Sequence, residues 1–270
     1  MTSYTLPNNI EAVLFDVDHT VNKKNTCRAV GERLIYEQLL RGKLVPLING
    51  IKNYRRVDKI AKKNGVEGQV DAMRAFFVSL TENVDVTLRD FDDLTRRAIL
   101  SNEALGFSGY NSALQSLGIG TYFSTASYDR IGSVSLGTYG IKGYAANQTL
   151  WKNSEGKTVK GNEITLKDSG EVSIDKRAIL HGISNSIRTP QDKDRANAEM
   201  MRLAEIDEEN VFYVGDNHFD HPSMERFGLA GASPGADKET VELVKKLGGV
   251  VIKDYISAKA MLKGFQTRKL

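Results

Sequence analysis

An α/β protein built on a parallel sheet, with an all-helical segment inserted after its first strand, is the architecture this 270-residue chain predicts. Three observations carry that expectation. Short apolar, β-branched runs alternate with segments of helical period, as in a sheet whose crossovers are helices. From Thr26 to Leu100 the helical pattern runs without an intervening strand. Three of the strand-like runs end in polar, chemistry-bearing residues, and sheets of this class bind ligands at the carboxyl ends of their strands.

The elements follow in order. Ile10-Glu11-Ala12-Val13-Leu14-Phe15 reads as a buried strand, with Asp16 and Asp18 just beyond its end. The insert then shows four apolar faces at helical spacing. They are Val30, Leu34, Ile35 and Leu39, ending near Gly42; Leu47, Ile51 and Tyr54; Val66, Val70, Met73 and Phe77; and Leu88, Phe91, Leu94 and Ala98. Tyr110, Ala113, Leu114 and Leu117 mark a helix closed by Gly118, and Thr121–Ser124 reads as a strand. Thr149–Lys152 and Lys157–Val159, joined through Asn153–Gly156, read as a hairpin with a Gly-bearing turn. A helix over about Asp194–Ala204 leads into the strand Val211–Val214, and Gly249–Ile252 is a candidate last strand.

Composition bounds the function. With 40% hydrophobic and 26% charged residues and only 5 prolines, the chain is neither disordered nor a Pro-rich linker. The single cysteine, Cys27, removes any disulfide framework or Cys-based zinc site and suits a reducing cytoplasm. No apolar run approaches the roughly 18 residues of a membrane span. Met1–Asn9 lacks the basic and apolar regions of a signal peptide, so a cytoplasmic protein without a membrane partner is expected. The 37 basic and 34 acidic residues leave a net charge of +3, with no basic stripe for nucleic acid.

Chemistry concentrates at two strand ends. In Asp16-Val17-Asp18-His19-Thr20, two carboxylates two residues apart share one small site, and close anions need a cation or a shared proton. Mg²⁺ held by one or two carboxylates and a phosphate satisfies that need. A carboxylate can also attack phosphorus, and a second, protonated one can serve as acid and then base. Gly215-Asp216-Asn217-His218-Phe219-Asp220 presents two more acids after an apolar strand. Four carboxylates gathered at two strand ends point to a bound cation.

Phe15-Asp16-Val17-Asp18-His19-Thr20-Val21 resembles motif I of the haloacid dehalogenase (HAD) superfamily, the DxDxT signature of its phosphatases. Val214-Gly215-Asp216 with Asp220 and Met224 is similar to motif IV. Thr125-Ala126-Ser127 is similar to motif II, with Ser124 the neighbouring alternative. The hairpin Leu150–Gly161 resembles that of phosphoserine-phosphatase-like members. The resemblance implies a Rossmann-like, HAD-like core over residues 1–22 and 103–270 and a helical C1-type cap over 23–102. It also implies an enzyme: a Mg²⁺-dependent phosphatase acting on a small phosphorylated metabolite through an aspartyl-phosphate.

The same resemblance assigns roles to residues. Asp16 is the expected nucleophile, Asp18 the acid and then base, and Thr125 the phosphoryl-binding hydroxyl. Mg²⁺ would be held by the Asp16 side chain, the Asp18 carbonyl and Asp216, with Asp220 a ligand or a support behind them. The required lysine is expected to be Lys193, whose path to Gly215 is the shorter, with Lys176 at the start of an earlier helical stretch the alternative. One departure stands out: Asn22–Arg28 contains no acid where phosphoserine phosphatases place a Glu for the substrate ammonium, which argues for a different phosphomonoester. Arg28, Arg33, Arg41, Arg55 and Arg56 of the insert are candidates for an anionic substrate or, more simply, solvated. A phosphotransferase or phosphomutase, a non-catalytic phosphate-binding module, and a transition-metal site using His19, His218 and His221 are the alternatives. Cys27 is expected to pack rather than react.

Overall fold

The strand expected first in the chain becomes the centre of the sheet. The computed structural model describes residues 9–40, 85–169, 173–184 and 186–262, with single helical positions at 48, 52, 55 and 59. Strand β1 (Ala12–Asp16) is buried at every position and pairs in parallel with β2 (Gly120–Tyr128) and, on its other edge, with a strand at Val211–Gly215. Beyond β2 lie β3 (Gly143–Asn147), parallel, and an antiparallel edge strand at Ile164–Leu166. Between those two in sequence runs the hairpin of β4 (Thr149–Lys152) and β5 (Thr158–Lys160), and the edge strand is therefore β6. β7 (Ile179–Ile183) joins the hairpin in a separate antiparallel sheet of order β5-β4-β7. The strand at Val211–Gly215 is β8, followed by β9 (Leu229–Ala232) and β10 (Val250–Val251). The main sheet thus runs β10-β9-β8-β1-β2-β3-β6, mainly parallel, as the alternating pattern predicts.

The described helices are α1 (Thr26–Leu40), α2 (Leu88–Asn102), α3 (Phe107–Ser116), α4 (Asp129–Tyr139), α5 (Pro190–Leu203), α6 (His221–Phe227), α7 (Lys238–Lys246) and α8 (Tyr255–Met261). α5 starts four residues before the expected Asp194. Pro190 opens it, and Thr189 with Asp192 forms a reciprocal capping box that satisfies the first free N–H groups. β2 runs on to Tyr128, past the expected end at Ser124. The faces at Leu47–Tyr54 and Val66–Phe77, with Leu39, Arg41 and Arg56, lie outside the described residues.

Alternation along the strands splits the core into two layers. Val13 and Phe15 face one layer, with Phe123, Phe107 and Tyr255; Ala12 and Leu14 face the other, with Tyr213, Met200 and Met201 of α5. The first layer is continuous with the described part of the insert, through Val30 and Leu34 of α1 and Phe91, Leu94 and Ala98 of α2. The returning leg of the insert is also tied to the small sheet: Leu88 N–H donates to Ala178 O and Leu180 N–H to Val86 O, each at 2.9 Å. Arg130 of α4 grips Asp92 of α2 with two 2.8 Å hydrogen bonds, in the paired geometry that suits guanidinium and carboxylate.

Asp129, the first residue of α4, anchors the hairpin. Its Oδ1 accepts from Thr149 Oγ1 at 2.7 Å and Thr149 N at 3.2 Å, and Gly161 packs against Oδ2 so closely that any side chain there would collide. Burial pushes its pKa from 3.8 up to about 6, although the Thr149 bonds and Arg130 pull it down. Folding therefore favours the protonated acid. That contribution is complete below pH 3.8 and lost as pH rises through about 6, and it amounts to about 3 kcal/mol. Urea unfolding followed from about pH 4 to 7 is expected to lose this increment in the wild type and to show a flatter profile in Asp129→Asn. Equal slopes for the two proteins would dismiss it.

Candidate active site

The chain leaves β1 toward β2 and β3 and returns on the opposite side at β8. Such a reversal opens a crevice at the carboxyl ends of the strands, where open α/β sheets bind their ligands. Asp16 ends β1 and Asp216 follows β8 directly, so both carboxyls stand at this crevice. Asp16 shares the parity of Ala12 and Leu14 and so faces the layer covered by α5. Lys193, in the first turn of α5, meets it there.

Lys193 is 1% exposed, and its Nζ donates to Asp16 Oδ1 at 2.5 Å and to Asp220 Oδ1 at 2.6 Å. A buried ammonium at a helix N-terminus opposes both desolvation and the helix dipole. Burial alone would lower its pKa, but the Asp16 and Asp220 carboxylates outweigh burial and hold it well above the usual lysine value. Asp220 is fully buried and also accepts from Tyr213 Oη at 2.7 Å and from Asp216 N at 2.9 Å. Gly215 is required here, because a Cβ at that position would collide with the Asp220 carboxylate. Asn217 Nδ2 donates to Asp216 Oδ1 at 2.8 Å and aims it.

The acids strain against one another. Burial raises the Asp16 pKa well above the ordinary value, Lys193 lowers it, and Asp220, Asp216 and Asp18 raise it again. Asp216 is pushed up to about 7, by burial first and by Asp220 second. Asp16 Oδ2 is buried without a hydrogen-bond partner. Asp16, Asp216 and Asp220 each place an oxygen within 4.8 Å of the others. Three carboxylates that converge in this way form an all-oxygen group that fits a hard divalent cation such as Mg²⁺.

The backbone oxygens of the loop after β1 are unequally engaged. Val17 O accepts the N–H groups of Thr20, Val21 and Asn22, His19 O accepts from Ser233 Oγ at 3.3 Å, and Thr20 O accepts from Tyr255 Oη at 3.2 Å. Among the hydrogen bonds of the described residues, the Asp18 carbonyl accepts none. The Asp18 side chain turns to the start of α1, where Thr26 N donates to it at 2.7 Å and Asn25 Nδ2 at 3.1 Å. Burial raises its pKa, although the Thr26 hydrogen bonds pull it down.

No family model matches the chain, and no curated protein sequence matches it. Solved structures do. A phosphoserine phosphatase carrying a phospho-aspartyl intermediate analogue superimposes with a TM-score of 0.57 at 16% identity, over 91% of this chain and 94% of that one. A probable phosphoserine phosphatase from Vibrio cholerae gives 0.63 at 11% identity, over 100% of this chain and 69% of that one. This chain has the HAD-like fold. A HAD family hydrolase from Salmonella enterica serovar Typhi aligns with a TM-score of 0.51 at 15% identity, covering 90% of this chain and 68% of that one.

Within the HAD-like fold, the structure brings Asp16, Asp216, Asp220 and Lys193 together, with Asp18 two residues past Asp16. Lys176 does not open a helix. It stands exposed in a turn before β7, because the Asp175 carbonyl and carboxylate engage the N–H groups of Ala178 and Arg177 and close a turn instead. The two candidate hydroxyls differ. Ser124 pairs in register with Asp16 and its buried Oγ has no partner, whereas Thr125 Oγ1 accepts from Ser127 N at 3.0 Å. The histidine alternative is not assembled among the described residues. His19 and His218 are exposed, and His221 Nε2 lies 2.9 Å from Thr240 Oγ1. Cys27 is buried against Ser127, and burial, reinforced by Asp18, pushes its thiol well up, away from a reactive thiolate.

Sequence reasoning assigned no role to Tyr213, Asn217, Asn25 or Thr26. Strand parity was the one signal for Tyr213: it lies two residues before Gly215, on the face that Asp16 and Lys193 share. The residues that hold Asp18 carry no such mark, because their placement depends on where α1 begins.

Proposed function

We propose that the chain is a Mg²⁺-dependent phosphatase that hydrolyses a small phosphomonoester through an aspartyl-phosphate on Asp16. The observation that carries this reading is the asymmetry of the Asp16 carboxylate: Oδ1 is held by Lys193, and Oδ2 is buried and uncommitted. In this reading Oδ2 attacks phosphorus, and the bond from phosphorus to the leaving oxygen breaks. Asp18, whose pKa burial raises, passes a proton to that oxygen in its protonated form. It then takes a proton from the water that attacks the aspartyl-phosphate, which releases inorganic phosphate and restores Asp16. Thr125, or Ser124 beside Asp16, donates to the phosphoryl oxygens. Lys193 keeps Asp16 in place and offsets the negative charge.

Asp16, Asp216 and the Asp18 carbonyl would hold the Mg²⁺. The bound ion supplies charge neutralisation for the phosphoryl group, the main requirement of phosphoryl transfer. In this reading the described legs of the insert, α1 and α2, belong to a lid that restricts the site to small substrates. The absence of any acid in Asn22–Arg28 favours a substrate without an ammonium group near the phosphate. A cytoplasmic setting agrees with the single, buried cysteine; among the described residues, no helix is long and apolar enough to cross a membrane.

A panel of phosphorylated metabolites assayed with Mg²⁺ tests this function. Release of inorganic phosphate that chelation stops and added Mg²⁺ restores is the expected result. No release from any phosphomonoester, or release indifferent to chelation, would refute it.

A further inference from the structure

Asp220 is close enough to Asp16 and Asp216 to share a cation with them, yet its bonding is already complete. An ionised carboxylate offers about four acceptor positions on its two oxygens. On Asp220, Oδ1 accepts from Lys193 Nζ at 2.6 Å and Tyr213 Oη at 2.7 Å. Oδ2 accepts from Asp216 N at 2.9 Å and Asn217 N at 3.4 Å. Two of these donors are backbone groups of the loop that carries Asp216, and Lys193 is shared with the Asp16 nucleophile. The Tyr213 hydroxyl is the donor that belongs to neither. Its ring is fixed by stacking on Phe227 of α6, with centroids 6.2 Å apart and planes 15° from parallel.

We propose that Tyr213 is a positioning residue that keeps Asp220 off the metal and thereby sets which divalent cation the site prefers. The inference rests on the reading of Asp16 and Asp216 as metal ligands. With Asp220 withheld, the protein offers two carboxylates and the Asp18 carbonyl, and water and phosphate complete the shell. Mg²⁺ suits such a site, because it dehydrates reluctantly and binds through one or two carboxylates. Ca²⁺ takes six to eight oxygens and gains from a third carboxylate. Removing the Tyr213 hydroxyl frees a lone pair on Asp220, a carboxylate with an oxygen within 4.8 Å of oxygens of Asp16 and Asp216.

The test is calorimetric titration of the substrate-free protein with Mg²⁺ and Ca²⁺, in the wild type and in Tyr213→Phe. The ratio of the two dissociation constants is expected to move toward Ca²⁺ by about 10-fold, the usual scale for loss of an outer partner at a metal site. The shift should vanish when Asp220→Asn is added to Tyr213→Phe. A purely structural role would lower the melting temperature and leave the ratio unchanged, and that result would overturn the proposal. The wild type supplies a second reading that needs no variant: in its crystal structure with Mg²⁺, the Tyr213–Asp220 hydrogen bond should persist. An Asp220 oxygen in the coordination shell overturns the proposal, as does failure of both cations to bind. If Mg²⁺ binds as described but no phosphomonoester is hydrolysed, the phosphatase reading fails and this one stands.

Discussion

Asp16→Asn is expected to lower phosphatase turnover by roughly 10⁴-fold or more while leaving the protein folded, the scale on which loss of a nucleophile acts. The amide keeps the shape of the side chain but loses the anionic oxygen that would attack phosphorus. Stability should not suffer in proportion. Burial and three neighbouring acids already raise the Asp16 pKa, so a neutral isostere relieves repulsion. Lys193 loses one carboxylate but retains Asp220. Initial rates on the best substrate of the metabolite panel, together with a melting curve, separate chemistry from folding. A mutant working at the wild-type rate would rule out the covalent mechanism.

Lys193→Met should cost both stability and activity. The side chain is 1% exposed and bridges two carboxylates that are themselves buried. Removing one partner of a buried ion pair leaves charge without compensation, a loss of about 3–5 kcal/mol. Methionine is close to lysine in length, so the cavity contributes little. Mg²⁺ should return part of the lost stability, because a cation binding only the folded protein stabilises it by mass action. Urea unfolding with and without Mg²⁺ measures both effects. Unchanged stability in the mutant would mean that the Asp16–Lys193–Asp220 network is not formed as described.

Much of the core was legible in the sequence. The apolar runs before Asp16 and Asp216 become β1 and β8, and the hairpin pairs Leu150 with Lys160 and Trp151 with Val159 as its turn predicts. β3, β6, β7 and β9 were not recognised. They are three to five residues long, two contain glycine in mid-strand, and in β3 and β9 burial on both faces removes the alternation that marks a half-buried strand. The last strand shrinks to Val250–Val251 at the sheet edge, where a single neighbour, β9, pairs with it.

The candidate site divides in the same way. Asp16, Asp18, Asp216 and Asp220 could be singled out because acids directly after buried strands are costly without a partner, and that cost shows in local sequence. The preference for Lys193 over Lys176 rested only on its shorter path to Gly215, since the contact itself depends on which helix covers which face of the sheet. Chain order and strand parity decide that α5 lies over the Asp16 face, and a capping box that starts the helix at Pro190, four residues before the expected Asp194, places Lys193 in its first turn. The saturation of Asp220 by Tyr213, Lys193 and two loop N–H groups is likewise a property of the assembled molecule.

The sequence by itself determined the α/β class and the two acidic strand ends, because period, burial and charge act over a few neighbouring residues. Tertiary structure alone decided which cation-bearing side chain meets Asp16 and which carboxylate is already spent. Those outcomes turn on contacts between residues 177 and 27 positions apart in the chain, where no local pattern reaches.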